Sequence, residues 1–265
     1  MIHGMFPRQA GRPGARRASR ILLALSATAA LLGVDVPDPP AAPPLGFTVG
    51  ARPGAAADRV GALFAGGLDG GHFCTAAVVR SEGHDLIATA AHCLDDPDTA
   101  VFAPGYRDGE APYGVWRLTG VYVAPGWQDG EDPDADIAFA TLAPLDGARI
   151  EDVVGGFPVA GQQPDDVPVT ILGYPSTRET PLSCTNTTEL FSGTQRRIDC
   201  PDLSGGTSGS PWLAEGKLAG VLGGYEGGGT VPEVSYSAVM GERALALYRE
   251  ASAPGAFALA PRATG

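Results

Sequence analysis

The sequence lacks an apolar run of membrane-spanning length. Its N-terminal apolar run, residues 21–34, would rise about 21 Å as a helix, whereas the hydrocarbon core of a bilayer is roughly 30 Å thick. The preceding 20 residues contain five arginines and no acidic residue, and small residues stand near the end of the run. This arrangement predicts a signal peptide at residues 1–34, and hence a secreted, extracellular protein without a permanent membrane anchor. Arg16 and Arg17 also permit twin-arginine export, which leads out of the cytoplasm as well.

Basic residues are scarce. The chain has 18 Lys and Arg against 30 Asp and Glu, a formal net charge of −12. Loss of the five leader arginines would leave 13 basic against 30 acidic residues, a formal charge of −17. Such an acidic surface repels nucleic acids and anionic lipids and favours solubility. We therefore expect no nucleic-acid partner.

Residues 59–252 contain no tandem repeat, heptad run or extended low-complexity segment, which argues against a solenoid or a coiled coil. Short β-rich runs recur instead, separated by glycine, proline and aspartate clusters. The runs fall at residues 60–64, 73–79, 86–89, 115–123 and 137–142, and then at 167–172, 188–191, 195–199, 211–213, 218–222 and 234–239. Only residues 242–251 have the composition of a helix. The pattern predicts an all-β protein made of two similar units.

These runs also suggest domain boundaries. Residues 35–58 are rich in proline, alanine and glycine without hydrophobic periodicity, which is typical of a linker or propeptide. We expect the first β unit at residues 59–160, the second with its helix at 161–252, and a loose tail at 253–265.

The four cysteines form an even set in a chain expected to be exported, so two disulfides are predicted. The alternative is a zinc site, but such sites favour short paired spacings with nearby histidines, and only Cys93 has a histidine beside it. Acidic loops at residues 95–98 and 129–134 offer calcium ligands, yet neither has the spacing of a calcium loop, so we interpret them as solvated turns. No metal or cofactor is expected.

Two short motifs suggest nucleophilic catalysis. Residues 89–93 read TAAHC and residues 206–211 read GTSGSP. A serine attacks a carbonyl only when a neighbouring base takes its proton, and flanking glycines give the substrate access. His92 is the candidate base and Ser208 the candidate nucleophile. Asp136, which directly precedes an apolar run, is the candidate orienting acid.

Each of these residues also has a structural interpretation: a buried histidine, an ordinary loop carboxylate and a glycine-rich turn. Asp132 and Asp134 compete with Asp136 as the acid. A lipase-type nucleophile turn is disfavoured because position 210 is serine where that motif needs glycine.

The motifs resemble the chymotrypsin-like (trypsin-like) serine protease superfamily, in particular its secreted bacterial branch that includes glutamyl endopeptidases. The resemblance spans residues 59–251 and is carried by residues 72–75 (HFCT), 86–93 (LIATAAHC), 136–138 (DIA), 171–175 (ILGYP) and 206–211. It implies two antiparallel six-stranded Greek-key barrels with the active site in the cleft between them. It also implies a short C-terminal helix after the second barrel.

By this resemblance His92 and Asp136 come from the first barrel and Ser208 from the second. The backbone N–H groups of Gly206 and Ser208 would form the oxyanion hole. The implied disulfides are Cys74–Cys93 and Cys184–Cys200.

Substrate recognition is implied at a strand edge formed by Leu222, Gly223, Gly224 and Tyr225, along which a peptide would add as a further strand. Asp202 lies six residues before Ser208, where trypsin-like relatives carry the acid that selects arginine or lysine. The cysteine that anchors this wall in those relatives is missing, so the alternative is a solvated loop acid. The second barrel also lacks the histidine near Leu222 that glutamyl specificity needs.

Thr207 departs from the digestive members of the superfamily. Those proteases carry an aspartate there that pairs with a newly freed N-terminal ammonium, and a threonine cannot form this ion pair. Any propeptide is therefore expected to act by blocking the site or assisting folding. Taken together, the sequence predicts a monomeric secreted serine endopeptidase that cleaves protein or peptide substrates through an acyl-enzyme. The alternative is a catalytically inactive protease-like binding protein, which the presence of all three catalytic residues disfavours.

Overall fold

The computed structural model describes residues 44–161 and 167–253. The predicted signal peptide at 1–34, residues 35–43 of the predicted linker and the tail from 254 lie outside these ranges. The strands are β1 Phe47–Gly50, β2 Val60–Ala65, β3 His72–Val79, β4 Leu86–Thr89, β5 Ala100–Pro104, β6 Trp116–Val123, β7 Ala138–Leu142, β8 Pro168–Gly173, β9 Leu182–Leu190, β10 Gln195–Asp199, β11 Pro211–Ala214, β12 Lys217–Val221 and β13 Val234–Ala238. The α-helices are α1 Ala55–Asp58, α2 Pro125–Gly130, α3 Ile150–Val154 and α4 Glu242–Ser252. None of the helices described here is long and apolar enough to cross a bilayer.

The first unit is a closed antiparallel barrel in the order β2-β3-β4-β7-β6-β5. In β6 the buried residues Trp116, Leu118 and Tyr122 alternate with more exposed ones, as expected for a strand with one face on the core. Strand β4 is buried along its whole length between β3 and β7. The side chains of Phe102 and Trp116 help to fill the interior. This core fixes the chain segments that lead into the site.

The second unit is a curled sheet in the order β12-β11-β8-β9-β10-β13. No strand ladder joins β12 to β13 in the described part of the chain, but the Val221 N–H donates to Ser237 Oγ at 3.1 Å and the Gly223 N–H to the Tyr236 carbonyl at 3.0 Å. The architecture is therefore a closed six-stranded barrel beside a curled half-barrel. With the C-terminal helix α4, it confirms the all-β chymotrypsin fold that the sequence predicts.

Residues 44–58 differ from the expected linker. Strand β1 pairs antiparallel with β9, and α1 leads directly into the first barrel. Gly46 packs on the second disulfide, because a Cβ there would lie 2.7 Å from Cys184 Sγ. Phe47 and Val49 are exposed, so β1 is stabilised by its backbone hydrogen bonds to β9 rather than by an apolar face.

Candidate active site

His92 and Asp136 meet at one end of the first barrel. His92 lies in a single 3-10 turn after β4, and Asp136 follows a similar turn before β7. The His92 Nδ1 atom is 2.8 Å from Asp136 Oδ2, and the His92 backbone N–H donates to Oδ1 at 3.0 Å. The Asp136 side chain is 1% exposed and that of His92 is 26% exposed. A buried carboxylate on Nδ1 leaves Nε2 on the accessible side of the ring, free to act as a base.

The two neighbouring acids have other partners. Asp132 Oδ1 accepts the Asp134 backbone N–H at 3.0 Å and so caps the turn before Asp136. Asp134 Oδ1 accepts a hydrogen bond from Gln195 Nε2 at 2.8 Å. Of these three acids, the structure brings only the Asp136 carboxylate into contact with the imidazole.

The loop that carries Ser208 is tied to both units. The Gly209 N–H donates to the Leu222 carbonyl at 2.7 Å, and the Ser208 carbonyl accepts the Thr75 N–H at 2.8 Å. Gly209 has φ +79, and a Cβ there would lie 2.1 Å from Thr89 Oγ1, so only glycine fits this approach. Ser208 is half-buried, and its carbonyl is bound to Thr75, the residue after Cys74 in β3. Cys74 forms a disulfide with Cys93, which adjoins His92.

Within the described ranges the Ser208 hydroxyl makes no hydrogen bond to His92. Catalytic contacts are often long in an unliganded site and shorten when substrate binds.

The proposed oxyanion donors lie in a tightly built loop. Gly206 has φ +94, and a Cβ there would lie 2.5 Å from the Ser176 backbone nitrogen. The N–H groups of Gly206 and Ser208 have no acceptor among the described residues, so they are available to a ligand. The Thr207 side chain is buried, and its hydroxyl donates to the Ser204 carbonyl at 2.6 Å. Thr207 therefore makes a local hydrogen bond and no ion pair with an N-terminal ammonium.

The edge predicted to bind substrate, residues 222–225, contacts the loop of the first barrel that carries Asp136. The Gly224 N–H donates to Asp136 Oδ2 at 2.7 Å. Gly223 must be glycine because a Cβ there would lie 2.7 Å from the same carboxylate oxygen. Leu222 is buried, whereas the neighbouring Tyr225 is 39% exposed.

Gln195 is a residue of this site that the sequence analysis missed. Its side chain is buried at 4% exposure, and Oε1 accepts the Tyr225 N–H at 3.1 Å. Its Nε2 donates to the Pro133 carbonyl at 3.0 Å and to Asp134 Oδ1 at 2.8 Å. One amide therefore connects the loop that positions Asp136 to the edge expected to bind substrate.

Asp202 is exposed and has φ +67, and its carbonyl accepts the Ser204 N–H at 3.1 Å. The structure thus places its carboxylate at the solvent side of the loop that leads to Ser208. In the second unit the rings of Phe191, Tyr225 and Tyr236 pack on one another, with centroids 4.8 to 5.1 Å apart.

Both predicted disulfides are present, Cys74–Cys93 and Cys184–Cys200. The potential ligand atoms of Cys74, His92 and Cys93 lie within 4.8 Å of one another. Zinc is bound by cysteine thiolates, and both of these sulfurs are engaged in the disulfide. The cluster is therefore a covalent support for the histidine turn.

Comparisons with known proteins agree with this geometry. A family model described as the trypsin-like peptidase domain matches residues 74–221, more than half of the chain. A thermostable serine protease, AL20, from an extremophilic microorganism is 30% identical, with a TM-score of 0.65 over 75% of this chain and 99% of that one. The protease Anisep from Arthrobacter nicotinovorans is 26% identical, with a TM-score of 0.67 over 78% and 99%.

A Glu endopeptidase structure is 16% identical, with a TM-score of 0.64 over 77% of this chain and 96% of that one, and it supports the fold alone. Comparison with curated protein sequences gives no match. The matched domain, the fold and the structures of AL20 and Anisep lead to one conclusion: the chain belongs to the trypsin-like peptidase family and is a serine-type peptidase.

Proposed function

We propose that the protein is a secreted serine endopeptidase that cleaves peptide bonds through an acyl-enzyme, with His92, Asp136 and Ser208 as its catalytic triad. The observation that carries the proposal is the buried Asp136 carboxylate, 2.8 Å from His92 Nδ1, beside a docked nucleophile loop. An isolated structural histidine would not explain the backbone connections from this carboxylate to both the histidine turn and the substrate edge.

In the proposed reaction His92 Nε2 takes the Ser208 proton while Oγ bonds to the substrate carbonyl carbon. The carbonyl electrons move to its oxygen, and the N–H groups of Gly206 and Ser208 bind that oxyanion. The tetrahedral intermediate then collapses, the C–N bond breaks, and the imidazolium donates its proton to the leaving amine. Water then attacks the acyl-enzyme ester, with His92 again as the base, and the ester breaks to release the acid product and the Ser208 hydroxyl.

The substrate chain is proposed to pair along residues 222–225. The Gly224 and Tyr225 N–H groups are already engaged, by Asp136 and Gln195. The Gly223 carbonyl accepts no hydrogen bond from the described residues, so it is free to bind a substrate N–H.

A fluorophosphonate probe tests the proposal, because it reacts only with an activated serine. We expect one label per molecule of processed protein and none on Ser208→Ala. Folded, processed protein that takes up no label would contradict the proposal and favour the protease-like binding protein instead.

For side-chain specificity we propose that Asp202 favours arginine or lysine before the cleaved bond. Because Asp202 is exposed, water screens its charge, and exposed ion pairs change an equilibrium by about fivefold at most. Mapping of cleavage sites on a peptide library should show a preference of about that size, reduced by Asp202→Ala. The control is Asp98→Ala, which removes another exposed acid from the first barrel. An equal preference in the parent and Asp202→Ala would exclude the assignment.

We also propose that the signal peptide is removed before residue 44. The Gly46 N–H donates to the Asp199 carbonyl at 2.7 Å, and β1 is a strand of the second sheet. N-terminal sequencing of the secreted protein should therefore find a start at or before residue 44, whereas a start beyond β1 would contradict this.

A further inference from the structure

We propose that Thr75 is a positioning residue, which holds the oxyanion loop (residues 204–210) in its catalytic shape from the opposite barrel. This inference rests on the proposed function and concerns how the site is kept competent. Thr75 lies in β3 of the first barrel, directly after Cys74, and is fully buried. A buried hydroxyl is costly unless it is hydrogen-bonded, so its partners indicate what it does.

Each polar group of Thr75 has a partner. Its Oγ1 accepts the Tyr174 N–H at 2.9 Å and donates to the Gly206 carbonyl at 3.0 Å. Its backbone N–H donates to the Ser208 carbonyl at 2.8 Å, and its carbonyl accepts the Thr89 hydroxyl at 2.8 Å. One residue of the first barrel thus contacts both proposed oxyanion residues of the second.

Three consecutive backbone carbonyls of the oxyanion loop accept hydrogen bonds that hold them in place. The Gly205 carbonyl accepts the Ser176 N–H at 2.7 Å, and the Gly206 carbonyl accepts the Thr75 hydroxyl at 3.0 Å. The Thr207 carbonyl accepts the Ser210 hydroxyl at 2.6 Å and the Ser210 N–H at 3.0 Å.

The anchors determine where the loop's N–H groups point. In a trans peptide the carbonyl and the N–H point in opposite directions. Holding the carbonyls of Gly205 and Thr207 therefore directs the N–H groups of Gly206 and Ser208 away from these anchors. The Gly206–Thr207 peptide lies between the two donors, and glycine at φ +94 offers little resistance to its rotation. The Thr75 hydroxyl fixes this middle peptide, so both donors depend on it.

These contacts involve neutral hydroxyl and amide groups only. Thr207 donates its own hydroxyl to Ser204, and the anchors of the loop include no charged group. The loop therefore needs no free N-terminal ammonium to hold its shape, and hydroxyl contacts stand where digestive relatives use an ion pair.

Two substitutions at one position test the proposal. Thr75→Val keeps the side-chain shape but leaves the Gly206 carbonyl and the Tyr174 N–H without their partner, whereas Thr75→Ser keeps the hydroxyl. Loss of one oxyanion donor typically lowers kcat by about 100- to 1,000-fold, and an indirect loss should cost less. We expect Thr75→Val to lower kcat by about 10- to 100-fold with KM within about twofold, and Thr75→Ser to recover most of the loss.

The measurement must separate positioning from folding. Kinetics are taken on a fluorogenic peptide chosen from the cleavage library and expressed per fluorophosphonate-titrated site. A peptide aldehyde of the same sequence, whose adduct places an oxygen in the oxyanion hole, is compared with the corresponding peptide alcohol. Thr75→Val should weaken the aldehyde by the same factor as kcat and leave the alcohol unaffected.

A purely structural Thr75 would lower the fraction of active molecules or the melting temperature without changing kcat per site. A folded Thr75→Val with the parent kcat and aldehyde affinity would overturn the proposal. If Thr75→Val does not fold, Ser210→Ala decides, because it removes one of the two anchors of the Thr207 carbonyl. We expect it to lower kcat and aldehyde affinity together, by about three- to tenfold, and unchanged values would overturn the anchoring.

These outcomes are distinct from a failure of the proposed function. A parent protein that is neither labelled nor active would contradict the peptidase mechanism itself. An active parent that is insensitive to Thr75→Val would contradict only the role of Thr75.

Discussion

At the scale of single residues, the buried Gln195 amide is the connection most open to test. Its Oε1 accepts from the Tyr225 N–H and its Nε2 donates to Pro133 and Asp134, so both ends of the amide have partners and the side chain joins the two units. Such a bridge is sensitive to charge, because a carboxylate at its centre would face another carboxylate at short range.

Gln195→Glu should therefore lower kcat/KM by about tenfold, since a glutamate cannot donate to Asp134 and repels it. The measurement is kcat/KM on a fluorogenic peptide, beside the melting temperature. The second variant, Gln195→Glu with Asp134→Asn, restores a donor opposite the new carboxylate and should recover part of the loss. A folded Gln195→Glu variant with the kcat/KM of the parent would show that the bridge has no influence on catalysis.

Candidate site residues could be named from the sequence where they lie in a local motif. His92 and Ser208 stand in the short segments TAAHC and GTSGSP, whose residue types are those that the proposed reaction needs. Gln195 and Thr75 have no such motif, because their roles arise from contacts with residues distant in sequence; Thr75 and Gly206 are 131 positions apart. A buried polar residue within a β-rich run is a weak signal until the fold supplies its partners.

At the scale of elements, the first disulfide joins the turn that contains His92 to β3. Cys93 adjoins His92, and Cys74 adjoins Thr75, whose N–H holds the Ser208 carbonyl. The second disulfide joins β9 to the residue after β10, and Gly46 packs against it. The two bridges close loops of similar length, with sequence separations of 19 and 16 residues.

Removing either bridge should lower the free energy of unfolding by about 3 kcal/mol in the chain-entropy model. Only Cys74→Ala/Cys93→Ala should also lower kcat per titrated site, by about tenfold, because it frees the histidine turn. Cys184→Ala/Cys200→Ala serves as the matched control. The measurements are urea unfolding and titrated kcat, and an unchanged kcat in the folded first variant would refute the supporting role.

Strands could be predicted from the sequence where their apolar side chains are buried in the fold. The expected runs at 86–89 and 195–199 coincide with β4 and β10. Strand β5 was missed, as was the first part of β9, where residues 183–188 read SCTNTT and alternate between buried or half-buried and exposed sites. Such strands form because neighbours offer backbone partners, and composition does not record that.

At the scale of the whole molecule, tyrosines link stability to alkaline pH. Burial, together with a hydrogen bond to Glu179, raises the pKa of Tyr106 to about 12. Burial also raises the pKa of Tyr122, Tyr236 and Tyr248. A tyrosine in the unfolded chain titrates near 10. The protonated forms therefore stabilise the fold fully below about pH 10, and this contribution is lost as pH rises toward 12.

We expect the free energy of unfolding, measured in urea, to fall steadily between about pH 10 and pH 12. Tyr106→Phe should make this decline shallower, because phenylalanine has no proton to lose. A decline of the same slope in Tyr106→Phe would show that Tyr106 does not contribute to it.

The overall architecture was the most predictable level, because the order and spacing of the catalytic motifs resemble one superfamily. The incomplete closure of the second sheet and the addition of β1 were not predictable, since both depend on which strands find backbone partners in the folded chain. The loop that carries Ser208 is held against the first barrel by other contacts, the hydrogen bonds from the Thr75 N–H and hydroxyl to the carbonyls of Ser208 and Gly206.

The central claim is that His92 and Ser208 act as one unit, and a double-variant comparison tests it most directly. The measurement is kcat on one fluorogenic peptide for the parent, His92→Ala, Ser208→Ala and the variant with both changes. Members of a triad are not additive, so the account predicts that the double variant is no slower than the slower single variant. Losses that multiply would mean that the two residues act independently, which would contradict the proposed mechanism.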